Sequence, residues 1–348
     1  MNRDVEQSTA SAYWRAEDKF ADWRIVIGDH HPDGTLPPPT ETTLIFYCSW
    51  LATVRCLAPG TMTSYLSGIA WAWARDDHRL IVHGHDGNVK PDLAKCLKGI
   101  RRDMTAPMRT RFPITTPRLS KVLSVLAVAN PKLSAAEVKC YSSLFSNNHY
   151  ALCRISETTS NTTTHVDRKR RALGEDVTFH TDNTGKNFYR LAIKHSKTLC
   201  RNKQGVDINV YANGTDTCPH GHMRAWLAAR QLADDEPLYH HDDLSYVTRA
   251  RVSDVLQNCL EHLGWNPKQF NTHSLRSGGA ISALASNSGV TVAGLKALGR
   301  WSDTSNAYLA YLRHMPQGFL AKVSASMGNL SLSSITEVHE RRFCQRFD

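Results

Sequence analysis

The sequence predicts a mainly α-helical chain with a small antiparallel β-sheet, arranged as an all-helical block followed by an α+β domain. Three observations carry that expectation. The 348 residues are long for a single hydrophobic core and comfortable for two. Only helical patterns occur up to Arg102. Three short runs of alternating apolar and polar residues then fall between Glu175 and Tyr211, with helical patterns on either side.

The first helix is expected over Ser11–Ile27, where Tyr13, Trp14, Phe20 and Trp23 recur at helical spacing, and a loop over 28–39 rich in Gly, Pro, His and Asp ends it. Thr40 opens an apolar helix through Leu44–Leu51. Pro59-Gly60 reads as a turn, after which Thr61 can cap a helix over Tyr65–Arg75 that bears Trp71 and Trp73. Asp92–Arg102 gives the last helix of the block, and a polar, basic linker runs from Asp103 to Arg111. Beyond Pro113 the character changes. A helix opens at Thr116 with proline at an early position, and another is expected over Phe145–Glu157. Strands follow at Glu175–Phe179, Asn187–Lys194 and Val206–Tyr211. Helices are then expected at His222–Arg230, Arg249–Leu263, His273–Ser286, Val292–Leu298 and Asn306–Arg313, with a Ser-rich and then charged tail after Met327.

Lys and Arg number 42 against 32 Asp and Glu, a formal net charge of +10 that favours a polyanionic partner. Nothing in the sequence resembles a membrane-crossing apolar run or a charged-then-apolar signal segment, so an intracellular location is expected. Nine cysteines lack paired spacing and read as small buried hydrophobes of a reducing compartment. Cys218-Pro-His220-Gly-His222, with Cys200 or His195 nearby in sequence, fits no common zinc spacing, and no metal is expected.

The chemistry-bearing residues concentrate near the C-terminus. His273 and Arg276 lie three residues apart, just inside a helix start that Asn271 or Thr272 can cap, so both share one face. The free amides of that helix start also welcome phosphate. Ser277-Gly278-Gly279-Ala280 are poor helix formers for a second turn, which implies close packing against another backbone. Gly299-Arg300-Trp301 and the pair Tyr308 and Tyr311 follow. Far upstream, Arg154 stands in an apolar helical run with Glu157 three residues on. Lys194 ends the second strand and Lys197 and Lys203 follow it, each a candidate for phosphate contact.

These are the groups that a tyrosine needs to cut a phosphodiester. The phenolate attack builds negative charge on phosphorus, which guanidinium forks can neutralise without losing their own charge. The departing oxygen needs a proton. A phenol of pKa about 10 needs a base or a positive field to become nucleophilic. No paired carboxylates at metal-ligand spacing and no Gly-Lys-Ser phosphate loop occur, so no cofactor is expected and cutting should proceed in EDTA without ATP.

The wording His273-Ser-Leu-Arg276-Ser-Gly-Gly-Ala with Gly299-Arg300-Trp301 resembles the active-site region of the tyrosine recombinase (phage integrase) family. It looks most like the branch carried by eukaryotic mobile elements of crypton or DIRS type. The Leu-Cys-Arg154-Ile-Ser-Glu157 string resembles the family's first arginine box, without its usual Thr-Gly lead-in. Ser196-Lys197-Thr198 resembles the turn that carries the family's catalytic lysine. Arg300 holds the place of the family's His or Trp and can donate to a phosphate oxygen, and Trp301 beside it can pack against the nucleophile or donate its indole N–H. Tyr311 followed by Leu312 and Arg313 resembles the nucleophile and is preferred over Tyr308, although its separation from Arg300 is wider than usual.

The resemblance implies a SAM-like core-binding domain before an α+β catalytic domain: an N-terminal helical extension over 1–35, a DNA clamp over 36–110, a catalytic domain over 111–327 and a tail over 328–348. Lys98, Arg101 and Arg102 are then expected to grip phosphates from the clamp side. It also implies double-stranded DNA as partner, a 3′-phosphotyrosine intermediate, a homotetramer on paired sites, and a nuclear location if the host is eukaryotic. A type IB topoisomerase and an inactive, domesticated DNA-binding protein share enough of these features to stand as alternatives. The run Asp167-Arg-Lys-Arg-Arg171 fits a solvated loop, a backbone contact or a nuclear import signal.

Overall fold

A computed structural model describes residues 7–74, 81–104, 111–195, 205–286 and 290–302. The chain divides into two compact units, Met1–Met108 and Arg109–Asp348.

The first unit is helical: α1 (Gln7–Val26), α2 (Glu41–Thr53), α3 (Pro59–Trp73) and α4 (Pro91–Asp103). Phe20 and Trp23 of α1 are buried with Tyr47 and Leu51 of α2, Leu66 and Ile69 of α3, and Leu93 and Leu97 of α4. Helix α1 is therefore part of this core. It approaches α3 closely because Gly68 leaves room there: a Cβ at that position would lie 2.9 Å from the Ala16 Cβ. Thr40 caps α2 in a reciprocal box with Thr43. The Glu41 carboxylate accepts from the backbone N–H groups of Asp92 and Leu93, at 3.0 and 2.9 Å, and so caps α4 from a neighbouring helix. Helix α3 starts earlier than its sequence suggests. Pro59 occupies the first turn, where its missing N–H costs nothing, rather than a separate turn before the helix.

The second unit comprises α5 (Thr116–Ala129), α6 (Ala135–Tyr150), α7 (Ile155–Thr158), three strands and four further helices. Strands β1 (Val177–Thr181), β2 (Asn187–Ile193) and β3 (Val206–Tyr211) form an antiparallel sheet in sequence order, with Val177 opposite Leu191 and Phe188 opposite Tyr211. Helices α8 (Pro219–Leu227), α9 (Arg249–His262), α10 (His273–Ala285) and α11 (Val292–Gly299) complete the described part. Helix α6 is buried from Cys140 to His149 although six of those ten residues are Ser, Asn or His. Some of its polar groups find partners inside: Tyr189 donates to Asn147 Oδ1 at 2.7 Å, and Thr158 to Asn148 Oδ1 at 3.2 Å.

The helix expected over Phe145–Glu157 is two helices. The chain leaves α6 at Ala151, Leu152 takes a left-handed conformation (φ 47°), and α7 begins after Arg154. Leu and Cys do not signal such a break, and the cause is tertiary: the freed carbonyls of Ala151 and Leu152 are claimed by arginines from the far end of the unit. The expected helix over Asn306–Arg313 and the tail lie outside the described residues.

Candidate active site

The turn from Ala151 to Arg154 is the floor of the site. The left-handed Leu152 points its carbonyl inward, where it accepts from Nη1 of Arg276 and from Nη2 of Arg300 (3.1 Å). Two guanidinium groups on one carbonyl repel each other, and Glu157 offsets this. The Glu157 carboxylate is buried, accepts from Nη1 of Arg154 at 3.0 Å and from Nη2 of Arg300 at 2.8 Å, and also accepts from the Arg154 backbone N–H at 2.8 Å. Arg154 itself stays 24 % exposed, so part of its fork reaches the site opening.

Helix α10 supplies the opposing groups. Asn271 and Ser274 cap it reciprocally, each side chain accepting from the other's backbone N–H at 3.2 and 3.1 Å. His273 is thereby the first helical residue, and Arg276 lies one turn on, fully buried. The second turn is brought close by glycine. A Cβ on Gly278 would overlap the Ile114 carbonyl, and one on Gly279 the His149 carbonyl. Nη2 of Arg276 donates to the Gly299 carbonyl, and its guanidinium lies 4.9 Å above the Trp301 ring. Arg300 caps α11 in a left-handed conformation (φ 55°), which turns its side chain back into the unit.

The electrostatics follow from this crowding. His273 opens to solvent. The surrounding protein, and then the like charges of Arg276, Arg154 and Arg249, push its pKa down to about 4. Solvent around the exposed ring offsets part of the desolvation, and the arginines keep the direction. His273 is accordingly a neutral imidazole at neutral pH, able to accept a proton.

Of the residues expected from sequence, Arg154, His273, Arg276, Arg300 and Trp301 come together in the second unit. Arg300, expected to donate to a phosphate oxygen, donates to the carbonyls of Ala151, Leu152 and Leu298 and to Glu157, and it enters the constellation through Glu157. Trp301 is buried beneath Arg276 and against Gly299. Lys197, Tyr308 and Tyr311 lie outside the described residues. Lys98, Arg101 and Arg102 are exposed on the last turns of α4, in the first unit.

The basic run is largely occupied at the surface: Arg168 pairs with Asp235 at 3.1 Å and with Glu236, and Arg170 with Asp167 at 3.3 Å. Among the described residues no group of three or more His, Cys, Asp or Glu could hold a metal ion, and no helix is long and apolar enough to cross a membrane. Sequence reasoning missed Arg249. It begins an ordinary amphipathic helix and reaches His273 only through the fold.

No family model and no curated protein matches this sequence. Solved structures do. The site-specific recombinase XerH in a post-cleavage complex with a palindromic difH substrate is similar over 91 % of this chain and 78 % of its own, at a TM-score of 0.57 and 12 % identity. XerH in a pre-cleavage complex with difH is similar over 88 % of this chain and 76 % of its own, at a TM-score of 0.52 and 13 % identity. The fold of this chain is the tyrosine recombinase fold.

Proposed function

We propose that this chain is a site-specific DNA recombinase or integrase, of the kind a mobile element carries, that cuts and rejoins DNA through a 3′-phosphotyrosine link. One observation carries the reading: Arg154, Arg276 and Arg300, the first two 122 residues apart in sequence (276 − 154), converge on one turn, Arg154 and Arg300 sharing the buried Glu157 carboxylate and Arg276 and Arg300 the Leu152 carbonyl, with the neutral His273 beside them. Likeness in fold to a recombinase solved with its DNA substrate supports the partner.

In this reading Tyr311 Oη attacks a backbone phosphorus and gives its proton to His273. The P–O5′ bond breaks, and Lys197 protonates the departing oxygen. Arg154 and Arg276 neutralise the charge on the phosphoryl oxygens, while Glu157 and Arg300 hold Arg154 in register. Trp301 supports Arg276 from below. The bond energy is retained in the phosphotyrosine link, so neither ATP nor a divalent metal is required. Rejoining reverses the steps with a second strand, in a tetramer on paired duplexes whose backbone Lys98, Arg101 and Arg102 grip from the clamp side.

The test is covalent trapping on nicked duplexes of randomised sequence, in EDTA, with peptide mapping of the linked residue. An adduct on Tyr311 is expected, and Tyr311→Phe removes it. An adduct that survives Tyr311→Phe and disappears in Tyr308→Phe reassigns the nucleophile. Relaxation of supercoiled plasmid without exchange between paired sites would favour a topoisomerase.

A further inference from the structure

Beside the Arg154 turn lies a separate cavity of about 280 Å³, lined by Ser156, Ser160, Asn161, Arg171, Thr248 and Arg249. No carboxylate lines it. Its geometry is set by the backbone. Ser160 pairs with Thr248 in an isolated parallel bridge, its N–H donating to the Val247 carbonyl at 3.0 Å, which holds Ser160 against the start of α9. Ser160 is 4 % exposed, and its hydroxyl has no hydrogen-bond partner among the described residues. Nε of Arg171, buried at the same cavity, also lacks one, while Nη2 of that residue is held by Asn161.

Buried donors without acceptors are costly unless a ligand supplies the acceptor. Helix α9 adds its positive end, and Arg249 in the first turn raises that potential instead of compensating it. Arg249 forms no ion pair among the described residues. Hydroxyl, guanidinium and helix-start donors around a cavity without a carboxylate match a tetrahedral oxyanion.

We propose that this cavity is a second phosphate site, which seats a phosphodiester of the bound DNA other than the one that is cut. The proposal rests on the DNA-cutting reading for the source of the phosphate. The cavity shares a wall with the active site, since Ser156 lies between Arg154 and Glu157 and Arg249 acts on His273. A phosphate seated here fixes the strand's register and leaves the neighbouring phosphorus over Arg154 and Arg276.

The test measures binding of a mixed-sequence duplex to the full chain across a salt series, by fluorescence anisotropy, with binding of inorganic phosphate alone followed by NMR. Arg249→Gln should lower the slope of log K against log salt by about one. Ser160→Ala removes a hydroxyl and no charge, so it should weaken duplex binding about tenfold with the slope unchanged. Thermal unfolding confirms that the variants fold, and Arg249→Gln, on an exposed helical turn, serves if Ser160→Ala does not. If wild-type protein binds the duplex and both variants match it in affinity and slope, the second phosphate site is wrong and the proposed function stands. If the duplex does not bind but inorganic phosphate does, and Ser160→Ala or Arg249→Gln weakens it, the site stands and the DNA reading fails. If neither ligand binds, both are wrong.

Discussion

Glu157 shows how much one side chain can hold. Its carboxylate joins Arg154, which faces the site opening, to Arg300, which is spent on backbone carbonyls. Glu157→Gln leaves the buried Arg300 charge without its counter-ion, and a loss of about 3 kcal/mol in stability is expected by chemical denaturation. His273 offers a second check at this scale. Proton titration by NMR should give a midpoint below the ordinary 6.5, and Arg249→Gln should raise it by removing one of the three like charges. A midpoint at 6.5 that ignores Arg249 would sink the account of His273 as a neutral base. The i,i+3 pairing of Arg154 with Glu157 was legible in the sequence. The contact between Glu157 and Arg300 was not, because 143 residues separate them and only the break at Leu152 lets them meet.

At the scale of elements, α10 is the piece on which the site depends. Its glycines sit against the backbone of Ile114 and His149, and the sequence had already suggested such close packing from Gly278-Gly279. Gly278→Ala or Gly279→Ala should cost more than about 2 kcal/mol, because the overlap is with backbone that cannot turn aside. Helix α6 was harder to read. Ser142, Ser143, Ser146, Asn147, Asn148 and His149 look like a solvent face, yet all are buried. The sequence gives no sign of the Tyr189 and Thr158 donors that satisfy part of that helix.

His149, buried beside Thr116, has its pKa pushed down to about 4 by desolvation. The unfolded chain takes up this proton below pH 6.5, and the native state does so only near pH 4. Stability from the neutral ring is therefore complete above 6.5 and is lost as the pH falls toward 4. Urea midpoints should report a stability about 2 kcal/mol lower at pH 5 than at pH 7, with His149→Gln flattening that dependence.

For the molecule as a whole, the net charge of +10 bears on encounter with a polyanion, DNA in the proposed function, more than on the fold. Binding to duplex of mixed sequence should fall about a thousandfold between 50 and 200 mM salt, as expected when about six phosphates are neutralised. A salt-insensitive affinity would contradict an electrostatic grip.

The sequence by itself determined the helical block, the three-stranded sheet and the helix start at His273, because these rest on local periodicity and capping. Only the tertiary structure decided that α6 breaks at Leu152, that Arg300 turns inward to share Glu157, and that Arg249 and Ser160 stand beside the site. Those outcomes follow from which carbonyls and carboxylates remain to be satisfied once distant segments pack, and local sequence carries no record of that accounting.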